Sequence, residues 1–195
     1  MGHNSQMIEV SKRTIYYLPG YGGQLATGLG QGLMDRGFDV TGRETRGDFR
    51  NLPFDEQVRT VMQDLQDHFW HEHAQVVCNS FGSYLFLHAQ AQLPAFVGRV
   101  LLLSPIIGEF TNEQVRTSFS PPRPERLKQL AQTGQFTSPV NCEIHVGEDD
   151  WQSIPGNVLA LGRMTGISVT VVPSGGHDLG KEYVGRLLDR WLIPA

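Results

Sequence analysis

The sequence has few cysteines and no long apolar run. Of its 195 residues only Cys78 and Cys142 are cysteines, and both lie inside apolar runs, where a reduced thiol packs as a small hydrophobic group. A disulfide scaffold is therefore not indicated. No apolar stretch reaches the roughly 18 to 20 residues that cross a bilayer, and residues 1–13 are polar, unlike the apolar core of a signal sequence. We expect a cytoplasmic protein without a membrane partner.

Positive charge is not in excess either. Lys and Arg total 16 against 20 Asp and Glu, which gives a formal net charge of −4 at pH 7. Because no basic cluster could follow a phosphate backbone, nucleic acid is not expected as a partner. The chain also lacks internal repeats and linkers, and its length suits one domain of about 150 to 200 residues. We predict a single domain over residues 1–195 and leave its oligomeric state open.

Short apolar runs alternate with longer amphipathic ones, which is typical of a parallel sheet with crossover helices. Most of the apolar runs are rich in β-branched or bulky residues and alternate little, as expected for strands covered on both faces. The weakest run, 39–43, is polar and contains Gly42. The sequence therefore predicts a three-layer α/β/α fold with a mostly parallel six-stranded sheet. The predicted strands are 14–18, 39–43, 75–78, 99–103, 142–146 and 168–172.

Helical patterns fill most of the segments between these strands. In the longest of them, apolar residues recur at helical spacing and define one buried face. Residues 105–139 differ, because they combine three closely spaced prolines (Pro121, Pro122 and Pro124) with only a short helical pattern. We expect this segment to be a short lid-like or loop segment over a site. The predicted helices are 24–36, 54–73, 81–92, 125–132 and 181–191.

The pentapeptide Cys-Asn-Ser-Phe-Gly at 78–82 lies between an apolar strand and a helix. A sharp strand-to-helix turn would lift the hydroxyl of Ser80 out of the sheet and would require small residues two positions before and after it. Cys78 and Gly82 are both small, although the usual pattern, G-x-S-x-G, has glycine at the first position. The alternative reading is that Ser80 only caps the helix that follows.

A serine hydroxyl becomes a nucleophile when a histidine takes its proton and a carboxylate orients that histidine. Candidates for both partners follow later strands: Glu148, Asp149 and Asp150 come after strand 142–146, and His177 comes after strand 168–172. These positions lie at the carboxyl edge of the sheet, where open α/β folds assemble their sites. The acids could instead be turn residues or caps of a following helix, and His177 could be a solvated loop residue.

The loop Pro-Gly-Tyr-Gly-Gly at 19–23 follows the first strand. Its glycines allow the backbone amides to face a site, so the N–H of Tyr21 could join that of Phe81 in stabilising an oxyanion. A phosphate-binding loop would need G-x-G-x-x-G or a terminal GK[ST], and neither is present. The loop could also be ordinary turn chemistry. Phe110 and Trp151 are candidates for lining a substrate pocket, or for simple packing.

The P-G-Y-G-G loop, the N-S-F-G elbow, the turn at Gly147 and the later Gly-His pair occur in an order that resembles the α/β-hydrolase superfamily. The resemblance covers residues 14–191 as a small version without the two leading antiparallel strands. It implies that Ser80 is the nucleophile, His177 the general base and Asp150, three residues after Gly147, the orienting acid. Cys78 and Pro19 depart from the family pattern, which commonly has glycine and histidine there.

We therefore expect a serine hydrolase that cleaves a small ester or thioester through an acyl-enzyme, with a small acyl substrate as its partner. No cofactor or metal is expected, since the nearby histidines at 68, 71 and 73 do not share one helical face. Two alternatives belong to other classes. One is a non-catalytic binding module of the same fold, and the other is a flavodoxin-like domain that binds flavin.

Overall fold

Six parallel strands form the central sheet in the computed structural model of the protein, which describes residues 13–192. All six predicted strands are confirmed. Their bounds are Arg13–Leu18 (β1), Phe38–Gly42 (β2), Gln75–Asn79 (β3), Arg99–Leu103 (β4), Asn141–Gly147 (β7) and Ser168–Val172 (β8). The order across the sheet is β2-β1-β3-β4-β7-β8, and every neighbouring pair is parallel. A separate antiparallel hairpin consists of Phe110–Asn112 (β5) and Thr117–Phe119 (β6).

Helices cover both faces of the sheet. They are Leu29–Met34 (α1), Gly47–Asn51 (α2), Phe54–Asp64 (α3), Phe81–Gln90 (α4), Arg126–Gln132 (α5), Pro155–Thr165 (α6) and Lys181–Trp191 (α7). Helices α1 and α7 pack on one face, and α3, α4, α5 and α6 pack on the other. A π-helical turn over Leu65–Phe69 continues α3. The three-layer α/β/α architecture is therefore confirmed.

The alternation of side chains along each strand divides the core into two clusters. In β1, Tyr16 and Leu18 point to the α4 face, whereas Ile15 and Tyr17 point to the face covered by α1 and α7. All ten residues of α4 are buried, because this helix lies directly on the sheet beneath α3. The helix that follows Ser80 is thus held rigidly.

Two of the predicted helices need correction. The first helix does not span 24–36: it covers only Leu29–Met34, because Gly28 precedes it with φ 54° and the backbone N–H of Leu25 bonds to Glu44. The helix predicted over 54–73 ends by Phe69. Segment 105–139, predicted as a lid-like or loop segment, contains the β5–β6 hairpin and α5. Whether it moves as a lid stays a prediction.

The chain reverses direction across the sheet between β1 and β3. From β1 it passes outward to β2 at one edge, then returns past β1 to β3 and proceeds to β8 at the other edge. In open α/β sheets such a switch point leaves a crevice at the carboxyl ends of the strands, where ligands bind. Here that crevice lies between residue 18 and residue 79. Within residues 13–192, no helix is both long and apolar enough to span a membrane.

Candidate active site

Ser80 occupies a sharp turn between β3 and α4. Its backbone has φ 51° and ψ −119°, a conformation that residues other than glycine rarely adopt. The turn is held because the N–H of Ser80 donates to the carbonyl of Leu103 at 2.9 Å. A Cβ on Gly82 would overlap the carbonyl oxygens of Leu18 and Pro19, so α4 can approach β1 only with glycine at this position. The predicted strand-to-helix elbow is present.

His177 lies within hydrogen-bond distance of both predicted partners. Its Nε2 is 2.8 Å from Ser80 Oγ, and its Nδ1 is 2.9 Å from Asp150 Oδ2 and 3.0 Å from Oδ1. The three residues come from the turns after β3, β7 and β8, whose carboxyl ends share one edge of the sheet. With Nδ1–H donating to the carboxylate, the lone pair of Nε2 faces the serine hydroxyl, which is the tautomer a general base requires.

Asp150 is the buried member of the three adjacent acids, at 2% exposure, whereas Glu148 and Asp149 are exposed. Its Oδ1 accepts the backbone N–H groups of Gln152 and Ser153, each at 2.9 Å. Burial raises the pKa of the Asp150 carboxyl. The hydrogen bond from His177 and those from the two N–H groups lower the pKa by more than burial raises it, so the pKa lies below its ordinary value. The carboxylate stays ionised beside the imidazole.

An open cleft of about 460 Å³ surrounds Ser80 Oγ; we call it the Ser80 cleft. Gly20, Tyr21, Asn79 and His177 are among the residues that line it. The loop at 19–23 passes close to the serine, since a Cβ on Gly20 would stand 3.2 Å from Ser80 Cβ. A small planar carbonyl compound could therefore reach the hydroxyl from solvent.

Two backbone N–H groups beside this cleft are available as donors. Phe81 is the first residue of α4, so its N–H has no acceptor within the helix. Neither this N–H nor that of Tyr21 bonds to another residue in the described part of the chain. Both were the predicted donors to an oxyanion, and that role stays a prediction.

The predicted pocket residues Phe110 and Trp151 lie farther along a chain of aromatic contacts. Phe110 packs edge-on against Trp151, with ring centroids 5.6 Å apart, and its ring is tilted against that of Phe119 at 5.4 Å. Phe119 in turn contacts the rings of Tyr21 and Phe81. Neither Phe110 nor Trp151 is among the residues that line the Ser80 cleft. Trp151 is 38% exposed and Phe110 is buried, so their contact with substrate stays a prediction.

No protein-family model matches the sequence, and no curated protein sequence is significantly similar to it. Solved structures match nearly the whole chain. An α/β hydrolase enzyme, MGS-MChE2, from the metagenome of lagoon sediments at Mar Chica, Morocco, is 16% identical with a TM-score of 0.64, covering 92% of this chain and 90% of that one. The ydeN gene product of B. subtilis is 14% identical with a TM-score of 0.63, covering 92% and 98%. Est1E from Butyrivibrio proteoclasticus is 12% identical with a TM-score of 0.62, covering 92% and 86%.

The chain has the α/β-hydrolase fold. The fold that the resemblance implied is thereby confirmed, and it replaces the flavodoxin-like alternative. Its departures from the usual pattern are accommodated locally. The side chain of Cys78 is fully buried in the core below the elbow. The ring of Pro19 lies against Gly23, since a Cβ built on Gly23 would stand 2.6 Å from the Cβ of Pro19.

Two residues that support this candidate site were missed in the sequence. The side-chain carbonyl of Asn79 accepts the backbone N–H of Gly20 and the hydroxyl of Tyr17. Ser153 donates its hydroxyl to the carbonyl of Ser104 at 2.7 Å while its own N–H holds Asp150. Asn79 could have been noticed because it precedes the candidate nucleophile, but the contacts join distant segments that spacing does not relate.

The remaining chemically notable groups do not form a second centre near the site. Cys78 and Cys142 are both free, and burial raises the pKa of each thiol. His68, His71 and His73 are exposed on the turn after α3. Among residues 13–192, no group of three or more His, Cys, Asp or Glu is arranged to hold a metal ion.

Proposed function

We propose that the protein is a serine hydrolase that cleaves small esters or thioesters through an acyl-enzyme. The observation that supports this most directly is the pair of hydrogen bonds of His177, to Ser80 Oγ at 2.8 Å and to Asp150 Oδ2 at 2.9 Å. The α/β-hydrolase fold adds support, because it places these side chains at the carboxyl edge of a parallel sheet. The Ser80 cleft suits a small carbonyl substrate.

The proposed reaction has two stages. Ser80 Oγ attacks the carbonyl carbon while His177 Nε2 takes its proton, and the N–H groups of Tyr21 and Phe81 bind the oxyanion that develops. His177 then gives the proton to the leaving alcohol or thiol as its bond to carbon breaks. In the second stage a water molecule loses a proton to His177 and attacks the acyl carbon. The bond from that carbon to Ser80 Oγ then breaks, His177 returns the proton to Oγ, and the acyl group leaves as a carboxylic acid. The ionised Asp150 stabilises the imidazolium in both stages.

The test is covalent labelling by a fluorophosphonate probe. The wild-type protein should be labelled, and Ser80→Ala should not. Ser83→Ala serves as the matched control, because Ser83 is a buried serine one turn further along α4 whose hydroxyl makes no hydrogen bond within residues 13–192. Replacing Ser80 should also lower turnover of a small ester by about 10⁴ to 10⁶.

Two results would contradict this function. Equal labelling of wild type and Ser80→Ala would remove Ser80 as the nucleophile. An unlabelled wild type with a native circular dichroism spectrum would favour a non-catalytic binding module of the same fold.

A further inference from the structure

A groove of about 560 Å³ lies between α1 and α7, on the face of the sheet opposite to α4; we call it the α1–α7 groove. Its apolar lining includes Leu103, Leu179 and Leu188, which are buried, and Leu29 and Val184, which are partly buried. Apolar surface of this kind gains free energy when it is covered by an apolar ligand.

Two glycines stand in the walls of the groove, Gly32 in α1 and Gly185 in α7. The guanidinium of Arg36 bridges them, and a Cβ at either position would have Arg36 as its nearest neighbour, at 3.7 Å. The guanidinium of Arg36 donates to the carbonyl of Gly32 at 2.8 Å and to that of Gly185 at 3.1 Å. Its third bond is to Asp189 at 2.7 Å. The two walls are thus joined rather than free to close.

The groove adjoins the Ser80 cleft. Gly28, Leu29, Asn79 and His177 line both. In the proposed reaction the leaving oxygen or sulfur takes its proton from His177 Nε2, so the leaving group must stand next to the imidazole. The imidazole of His177 therefore lies where the groove meets the site of bond cleavage.

We propose that the α1–α7 groove binds the leaving group of the substrate, an alcohol or thiol that carries an aliphatic chain; this rests on the proposed function. The carbon–oxygen or carbon–sulfur bond breaks, the proton on His177 passes to the leaving atom, and the acyl group remains on Ser80 Oγ. From Lys181 to Leu188 the groove runs along about 10 Å of α7, at 1.5 Å per residue. An extended chain of about eight atoms, at roughly 1.2 Å per bond, fills that length.

The experiment measures kcat/KM for acetate esters of ethanol, butanol, hexanol and octanol, which differ only in the leaving group. In the wild type, kcat/KM should rise by about two- to fourfold per added methylene. Gly32→Leu should remove that rise, because the new side chain fills the groove. The matched control is Gly156→Leu: Gly156 is exposed in α6, on the other face, with no atom within 4 Å of its Cβ position, and the rise should be kept.

A second series varies the acyl group instead, using p-nitrophenyl esters from acetate to hexanoate. Gly32→Leu should leave the dependence of this series on acyl length unchanged. If it changes the acyl series and not the alcohol series, the assignment to the leaving group is wrong.

The results distinguish an error in the proposed leaving-group site from an error in the proposed hydrolase function. Ser80-dependent hydrolysis of ethyl acetate with no effect of alcohol length would overturn the groove alone, as would equal slopes for Gly32→Leu and Gly156→Leu. If the wild type hydrolyses no ester in either series, the proposed function is wrong and the leaving-group site is wrong with it.

Discussion

The side-chain carbonyl of Asn79 accepts a hydrogen bond from the backbone N–H of Gly20 at 3.0 Å. This bond joins the end of β3 to the loop after β1, across the switch point of the sheet. The hydroxyl of Tyr17 donates to the same oxygen at 3.1 Å, so both donors fix the orientation of the amide. The residue before the proposed nucleophile thus fixes the loop that carries Tyr21.

Replacing Asn79 should impair chemistry more than binding. Asn79→Ala leaves the N–H of Gly20 without its acceptor, so the 19–23 loop loses its fixed position relative to Ser80. We expect kcat to fall by about 10- to 100-fold with a smaller change in KM, as measured by steady-state kinetics on a small ester. Tyr17→Phe removes only the second donor and should cost less than about threefold. Equal losses for the two variants would contradict a role in positioning the loop.

The choice among the three adjacent acids can be tested directly. Asp150→Asn should lower kcat by about 10³ to 10⁴, because an amide does not hold His177 in the required tautomer. Asp149→Asn is the control, since Asp149 is exposed and the Nδ1 of His177 bonds to Asp150 instead. It should change kcat by less than about twofold. A large loss of kcat for Asp149→Asn would show that the choice of Asp150 as the orienting acid is wrong.

The elbow depends on glycine at one of its two small positions and not at the other. In Gly82→Ala the new methyl group overlaps the carbonyls of Leu18 and Pro19, so the free energy of unfolding should fall by about 3 kcal/mol or more. Cys78→Ala only removes a buried thiol and should cost about 1 kcal/mol. Urea denaturation of both variants measures these values. Similar losses would show that close packing at residue 82 is not the constraint.

Stability should decrease in mild acid because of His88, which is buried against Tyr84 and Phe54. Burial, together with the positive charges of Arg123 and Arg126, lowers the pKa of His88 from 6.5 to about 4. Between these pH values the imidazole of His88 binds a proton in the unfolded chain but not in the folded chain. The free energy of unfolding is therefore unaffected by His88 above pH 6.5 and decreases as the pH falls from 6.5 toward 4.

The expected loss from His88 between pH 7.5 and 4.5 is about 2 to 3 kcal/mol in the free energy of unfolding. His88→Leu should show a correspondingly smaller decrease when urea denaturation is repeated at several pH values. His73→Leu, at an exposed position, should keep the wild-type dependence. If His88→Leu has the same pH dependence as the wild type, the acid sensitivity has another source.

The central sheet could be predicted from the sequence because its strands are covered on both faces. Runs such as Val-Leu-Leu-Leu at 100–103 are apolar at every position, a pattern that exposed segments do not show. The β5–β6 hairpin was missed because its strands have only three residues each and are mostly exposed, so no periodicity develops. Helix α6 was not placed, although Pro155 at its start and Gly166 at its left-handed end are recognisable signals.

The residues of the candidate site were predictable where they follow strands, since parallel strands bring their carboxyl ends together. Ser80, Asp150 and His177 meet for that reason. Asn79 and the α1–α7 groove were not predictable, because each depends on which distant segments pack together rather than on local pattern. Gly32 and Gly185, for example, lie 153 positions apart and are related only by Arg36.

Every neighbouring pair in the six-stranded sheet is parallel, so no pair can form by a simple hairpin. Ser80 and His177 are 97 positions apart, and His177 follows β8, an edge strand that pairs only with β7. Long-range pairing of this kind makes folding slow. After dilution from denaturant, catalytic turnover should therefore return only when the last edge strand has docked, later than the helical circular dichroism signal.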